Sequence, residues 1–135
     1  MLLQIICKGM RLLILICFLF SLNLYSQKRF EHLPPTKENI MLVLHYHNLT
    51  HKEYVLAQAI QETSLKPKGH NNLFGLTGKN GLYKYPHWSY SVKDYKEKIQ
   101  SRRKEGENYL AFLKRIRYAT CPTYTQKIAK IVKTI

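Results

Sequence analysis

Apolar residues recur with helical spacing along most of the chain after residue 35, and short polar breaks separate the runs. In the first run they stand three to four positions apart, as on one face of a helix. Thr36 offers an N-cap side chain, and the pattern continues to about Asn48, which predicts a helix between them. The apolar members of this run are Ile40, Val43 and Leu44. Residues 27–35 end in two prolines and are predicted to form an extended arm.

A second helix is predicted from Thr50 to about Ser64. Thr50 and Glu53 have the spacing of a capping box, in which the threonine bonds forward and the glutamate reaches back. Residues 66–69 (KPKG) break the helix. Its apolar stripe consists of Val55, Leu56, Ala59 and Ile60.

The middle of the chain has strand character. Asn80-Gly81 is a dipeptide typical of a type I′ hairpin turn. Residues 76–77 and 82–85 supply the two short arms. We therefore expect one small β-hairpin, which ends before Pro86.

Three further helices are predicted in the last third of the chain. Ser91 and Asp94 have capping-box spacing and would open a basic helix that runs to about Lys104. Residues 107–118 form the next amphipathic run, and Pro122 suits the first turn of a last helix. The expected fold class is α+β but mostly α, with about five helices and one hairpin.

Residues 1–26 have the pattern of a secretory signal peptide. Residues 12–22 are almost purely apolar, Lys8 and Arg11 precede them, and Ser26 is a small residue at the expected cleavage site. The alternative is an uncleaved membrane anchor, although the run is shorter than the ~20 residues of a spanning helix. We expect an exported protein, periplasmic or secreted, with no membrane span after cleavage.

The chain is strongly basic, with 22 Lys or Arg and 8 Asp or Glu among 135 residues, a net charge of +14. Removing residues 1–26 takes away two cations and no acid, so the charge falls from +14 to +12. Such a charge favours polyanions: nucleic acid, anionic lipid or an acidic cell-wall polymer. The basic run at residues 93–104 would suit phosphates, and a cationic binding protein is the alternative it supports. Export argues against nucleic acid, which we do not expect as a partner.

Cysteine and histidine give no sign of a disulfide or a metal site. Without residues 1–26 only Cys121 remains, so no intrachain disulfide can form and the core alone must stabilise the fold. The six histidines form no HExxH motif and no Cys/His cluster. We expect neither a metal nor another cofactor.

Glu62 is the acid with the best position for chemistry. It lies near the C-terminal end of the second helix, on the same face as Gln58 and beside the stripe of Ala59. A carboxyl at the core edge has a raised pKa and stays protonated near neutrality, as a general acid for glycosidic cleavage requires. The alternative is an ordinary surface glutamate.

Four motifs in order resemble the bacterial glucosaminidases of glycoside hydrolase family seventy-three, which cleave peptidoglycan. Their sequences are AQAIQETS at 57–64, NNLFG at 71–75, WSYS with the nearby DY at 88–95, and YATCPTY at 118–124. Cys121 stands where the family often has aspartate. The resemblance covers residues ~36–133, so a catalytic domain over 36–135 is expected.

The resemblance implies a lysozyme-like fold, with the hairpin beside the cleft, and cleavage of the β-1,4 bond between N-acetylglucosamine and N-acetylmuramic acid. It implies Glu62 as the catalytic acid. The predicted sugar-binding residues are Gln58, Asn72, Phe74, Gly75, Tyr90 and Tyr124. Trp88 is aromatic enough to stack on a sugar, although a buried anchor for the hairpin is the alternative. The expected partner is the peptidoglycan glycan strand, bound by a monomer.

The chain departs from the two-carboxylate pattern of glycosidases, since residues 75–93 contain no Asp or Glu. Three interpretations remain open: the substrate's own 2-acetamido group acts as nucleophile, a positioned water attacks, or the protein is a weak enzyme or an inactive wall-binding module. A lytic transglycosylase is the nearest enzymatic alternative, because such enzymes also work with one glutamate.

Overall fold

The structure is a computed structural model, and it describes residues 10–18, 21 and 28–135. The chain divides into one unit that ends at His32 and a second, Leu33–Ile135. In the first unit, residues 10–18 are helical and exposed. Within the described ranges, no helix combines the length and apolarity that a membrane crossing requires. The predicted cleavage site after Ser26 lies outside the described residues, so the signal peptide stays a prediction.

The second unit consists of five α-helices, a short 3₁₀ helix and a two-stranded antiparallel hairpin. The bounds are α1 Lys37–Tyr46, α2 Lys52–Thr63, β1 Thr77–Gly78, β2 Gly81–Leu82, α3 Trp88–Lys98, the 3₁₀ helix Gln100–Arg102, α4 Tyr109–Arg115 and α5 Tyr124–Val132. This architecture confirms the predicted α+β, mostly α fold class.

Helix α2 is the central element of the second unit. It packs chiefly against α5 and also against α1, and five consecutive residues of its middle turns are buried. These are Val55, Leu56, Ala57, Gln58 and Ala59. A helix buried on more than one face is held firmly, so the side chain of Glu62 starts from a fixed backbone one turn after this buried segment.

The first predicted cap is confirmed and the second is wrong. Thr36 caps α1 by accepting a hydrogen bond from the backbone N–H of Asn39 at 3.2 Å. At α2 the N-cap is His51, in the left-handed region, and no side chain caps it. Thr50 instead forms two hydrogen bonds with the Gln100 side chain. The backbone N–H of Thr50 donates to Oε1 at 2.9 Å, and Nε2 of Gln100 donates to the backbone carbonyl of Thr50 at 2.8 Å.

The predicted capping box of Ser91 and Asp94 is also wrong, because α3 begins one turn earlier. His87 is the N-cap, and its Nδ1 accepts from the N–H of Ser89. Ser91 is buried within the helix. Asp94 accepts bonds from Tyr85 at 2.8 Å and from Lys98 at 2.5 Å.

The end of the arm is tied to the start of α3. The backbone carbonyl of Leu33 accepts from the indole N–H of Trp88 at 2.7 Å and from Nε2 of His87 at 3.1 Å. Trp88 is 2% exposed. Its ring therefore serves as a buried anchor rather than a sugar platform.

The hairpin forms where predicted, but with a different turn. Thr77 pairs with Leu82 and Gly78 with Gly81, which leaves Lys79 and Asn80 as the loop. A type I′ turn needs positive φ at both loop residues, and neither has it; Gly81 does, with φ +97°. Gly81 is thus the residue that needs positive φ, as the Asn80-Gly81 dipeptide predicts, but it opens β2 instead of occupying the loop.

Candidate active site

Glu62 occupies the last turn of α2. The helix ends at Thr63, and Ser64 and Leu65 follow in the left-handed region with φ of 50° and 59°. The chain therefore turns away immediately after Glu62, and the residue is exposed at the surface of the fold. This differs from the expected position at the core edge: the residue is open to solvent, while its carboxyl is partly enclosed.

The carboxyl of Glu62 has one strong protein partner. The hydroxyl of Tyr124 donates to Oε1 at 2.7 Å. Burial of the carboxyl raises the pKa of Glu62, and the bond from Tyr124 lowers it by a smaller amount, so the pKa lies above its ordinary value. The raised pKa favours the protonated acid, as a proton donor requires.

The two oxygens of this carboxyl are not equivalent. Because Tyr124 donates to Oε1, that oxygen is an acceptor, and the proton of the neutral acid belongs on Oε2. Gly75 lies against Oε2: a Cβ built on Gly75 would stand 3.3 Å from it. Gly75 also has φ +62°, a conformation that glycine adopts without strain. The glycine therefore leaves the space beside the proton-bearing oxygen open.

Two grooves meet at Glu62 and Gly75. We call the first the arginine groove, with a volume of about 280 Å³. Besides Glu62 and Gly75 its walls include Phe74, Thr77, Tyr83, Arg102, Arg117 and Tyr118. We call the second, of about 580 Å³, the lysine groove. Its walls include Lys66, Lys68, His70, Asn72 and Leu82. A polymer lying in both grooves would pass directly over the Glu62 carboxyl.

A buried hydrogen-bonded cluster supports Tyr124 from behind. Gln58 donates from Nε2 to the Tyr124 hydroxyl over 3.5 Å, and its Oε1 accepts from Tyr95 at 2.5 Å. Tyr109 adds a longer bond to Gln58 and a 2.5 Å contact with the Tyr95 hydroxyl. Gln58 has no exposed surface. The predicted contact between Gln58 and sugar is therefore wrong: the side chain is on the expected face but beneath the surface, where it holds Tyr124.

The NNLFG loop supplies the floor around Gly75. Asn72 donates to the carbonyls of Leu76 at 2.8 Å and Tyr83 at 3.1 Å, and accepts from the Leu76 N–H at 3.0 Å. Phe74 is 1% exposed and packs on Tyr95, with ring centroids 4.4 Å apart. Asn72 and Phe74 thus offer a groove only their edges, and their main contacts hold the loop.

The structure does not bring Tyr90 to the site, since it lines neither groove. Sequence reasoning missed Tyr83, Arg102, Arg117 and Tyr118 as groove residues. Tyr118 also donates to the Phe74 carbonyl at 2.6 Å. Only the hairpin position of Tyr83 gave a signal before the structure; the arginines belong to separate segments that the fold brings together.

Glu62 is the one acid among the residues that line these two grooves. Asp94, the first acid after Glu62 along the chain, is bonded to Tyr85 and Lys98. In the described part of the chain, no three His, Cys, Asp or Glu side chains cluster closely enough to hold a metal ion. The chemistry the lining side chains can perform is proton transfer by one carboxyl.

Residues 39–135 match the model of the glucosaminidase family, which is described as mannosyl-glycoprotein endo-beta-N-acetylglucosaminidase. No curated protein and no solved structure matches the chain. The family match confirms the resemblance carried by the four motifs, and it spans the helices, the hairpin and both grooves. The chain therefore belongs to the glucosaminidase family and is a glycoside hydrolase of the endo-β-N-acetylglucosaminidase type.

Proposed function

We propose that the protein cleaves peptidoglycan at the β-1,4 bond between N-acetylglucosamine and N-acetylmuramic acid, with Glu62 as general acid. The observation that carries the proposal is the single carboxyl at the junction of two grooves, held by Tyr124 and with its pKa raised by burial. The family match supports the wall-type substrate.

In this mechanism the glycan strand lies along both grooves with the scissile oxygen next to Oε2. Glu62 gives its Oε2 proton to the glycosidic oxygen as the bond to the anomeric carbon breaks. Tyr124 continues to donate to Oε1 and stabilises the carboxylate that forms. Gly75 leaves room for the sugar oxygen to approach.

The second half of the reaction has no second carboxylate among the groove residues. The nucleophile that attacks the anomeric carbon is either the substrate's own 2-acetamido oxygen or a water. When the acetamido oxygen attacks, a cyclic oxazolinium forms, and a water then opens it from the face of Glu62. The Glu62 carboxylate takes a proton from that water, which restores the acid and leaves a free reducing end. One glutamate thus acts as acid and then as base.

The central test replaces Glu62 by Gln and measures reducing ends released from purified walls. Glu62→Gln keeps an oxygen that Tyr124 can bond but has no transferable proton. We expect a loss of at least ~100-fold with the fold retained. Glu53→Gln, an exposed acid on the same helix, is the matched control and should keep full activity. Substantial release by Glu62→Gln would remove Glu62 from the catalytic role.

We also propose export, with residues 1–26 as the signal peptide, on the basic and apolar pattern of that segment. The test is the N-terminal sequence of protein recovered from the periplasm or medium of an expressing cell. A mature chain that begins near Gln27 is expected. A chain retained in the cytoplasm with its full N-terminus would contradict export.

A further inference from the structure

Arg102 and Arg117 differ from Lys98, the third cation on the wall of the arginine groove, because Lys98 is paired with Asp94 and no carboxylate neutralises the two arginines. Three ion pairs occur in the described part of the chain: Lys93 with Glu97, Lys98 with Asp94, and Arg115 with Glu107. Neither Arg102 nor Arg117 takes part in one, and both are exposed on the wall of the arginine groove. Two positive charges therefore face the groove without a partner.

The backbone at Arg117 makes this arginine unusual. Helix α4 ends at Arg115, and Arg117 follows in the left-handed region with φ +52°. Glycine or asparagine is the common residue in that place after a helix, and other residues are strained there. The chain thus carries a strained residue with a long cationic side chain at the wall of the groove.

We propose that Arg102 and Arg117 bind a carboxylate of the wall strand's peptide stem, on the side of the scissile bond that lies in the arginine groove. This rests on the proposed peptidoglycan substrate. Guanidinium groups bind planar oxyanions through paired N–H donors, whereas the lysines of the other groove act only as point charges. The arginine groove is therefore the side that selects a peptide-bearing sugar.

The experiment compares Arg102→Gln/Arg117→Gln with the control Lys114→Gln/Lys130→Gln, which removes the same charge at exposed positions outside both grooves. Each is measured by cosedimentation with native walls, with walls whose carboxylates are amidated by carbodiimide and a neutral amine, and with walls stripped of phosphate polymers. All variants also carry Glu62→Gln so that the walls are not digested.

We expect the arginine variant to bind native and phosphate-stripped walls about tenfold more weakly than its parent, and amidated walls equally. The lysine control should change less than twofold on every wall. An equal loss in both variants, or a loss that persists on amidated walls, would overturn the proposal. A loss that disappears only on phosphate-stripped walls would assign the site to a phosphate and overturn the carboxylate.

Binding in this experiment is independent of cleavage, so its outcome is separate from that of the proposed function. Arg117→Gly adds a second readout, because glycine fits the left-handed backbone. We expect Arg117→Gly to keep or raise the melting temperature while it weakens binding to native walls. Lower stability with unchanged binding would assign Arg117 a structural role and contradict the proposal.

Discussion

The two oxygens of Glu62 are distinguished by one tyrosine and one glycine, and the proposed proton transfer depends on this asymmetry. The hydroxyl of Tyr124 donates to Oε1 at 2.7 Å, whereas Gly75, which has no side chain, leaves Oε2 accessible. The motif AQAIQETS pointed to Glu62 from the sequence. The burial of Gln58 did not follow from this motif. Helical spacing shows which residues share a face, but it does not show how completely a neighbouring helix covers that face.

Tyr124→Phe tests the pKa argument at this carboxyl. The hydroxyl lowers the pKa of Glu62, so its removal should raise that pKa further. A general acid works while it is protonated, and the basic limb of the rate profile should therefore move to higher pH. We expect a kcat about tenfold lower from the loss of orientation.

The comparison variant is Tyr118→Phe, whose hydroxyl bonds to the Phe74 carbonyl and not to Glu62. Its basic limb should stay in place. A basic limb that remains unchanged in Tyr124→Phe, or moves to lower pH, would show that this tyrosine does not set the pKa of the acid.

Gly75→Ala tests the open space beside Oε2. A methyl group would stand 3.3 Å from that oxygen on a backbone with φ +62°. The left-handed strain should lower the free energy of unfolding by about 1–2 kcal/mol, and kcat should fall more than stability explains. Thermal melting and wall hydrolysis measured below the melting transition check this; wild-type kcat in the folded variant would contradict it.

At the scale of elements, helix existence and order followed from the apolar spacing, whereas the caps of α2 and α3 did not. Thr50 and Ser91 have the capping-box spacing, but Thr50 is bonded to Gln100, fifty positions away, and Ser91 is buried where it accepts from the Leu73 N–H. A local sequence pattern does not show such tertiary partners, because they lie many positions away along the chain. The hairpin turn differs from the predicted type I′ turn for a local reason. Of residues 79–81 only Gly81 has positive φ, whereas a type I′ turn needs it at two successive residues.

Asn72→Ala tests the loop that presents Gly75 to Glu62. It removes three hydrogen bonds and leaves the N–H and C=O of Leu76 without these partners in a buried setting. We expect the free energy of unfolding to fall by about 2–4 kcal/mol. Chemical denaturation checks this, with the exposed turn variant Asn80→Ala as control. A change below that of the control would mean that Asn72 does not hold the loop.

At the scale of the whole molecule, the net charge of +14 should raise the rate at which the protein encounters an acidic wall, but it does not determine which bond is cleaved. Composition alone gave the sign of the partner's charge, and the fold shows that both grooves beside Glu62 are basic. That distribution could not be predicted, because Arg102, Arg117 and the pair Lys66 and Lys68 belong to three separate segments that only the folded chain brings together.

Ionic strength should therefore change binding more than catalysis. Between about 50 and 500 mM NaCl the Debye length falls severalfold, so KM for suspended walls should rise several-fold. The kcat should stay within about twofold, because the proton transfer occurs at a partly enclosed carboxyl. Initial rates across a salt series measure both constants, and a KM independent of salt would contradict electrostatic attraction.

The most direct measurement is mass spectrometry of the fragments that the purified protein releases from peptidoglycan. We predict fragments that end in a reducing N-acetylglucosamine, present with the wild type and absent with Glu62→Gln. Fragments that end in anhydro-muramic acid, or identical fragments from the Glu62→Gln variant, would contradict the account.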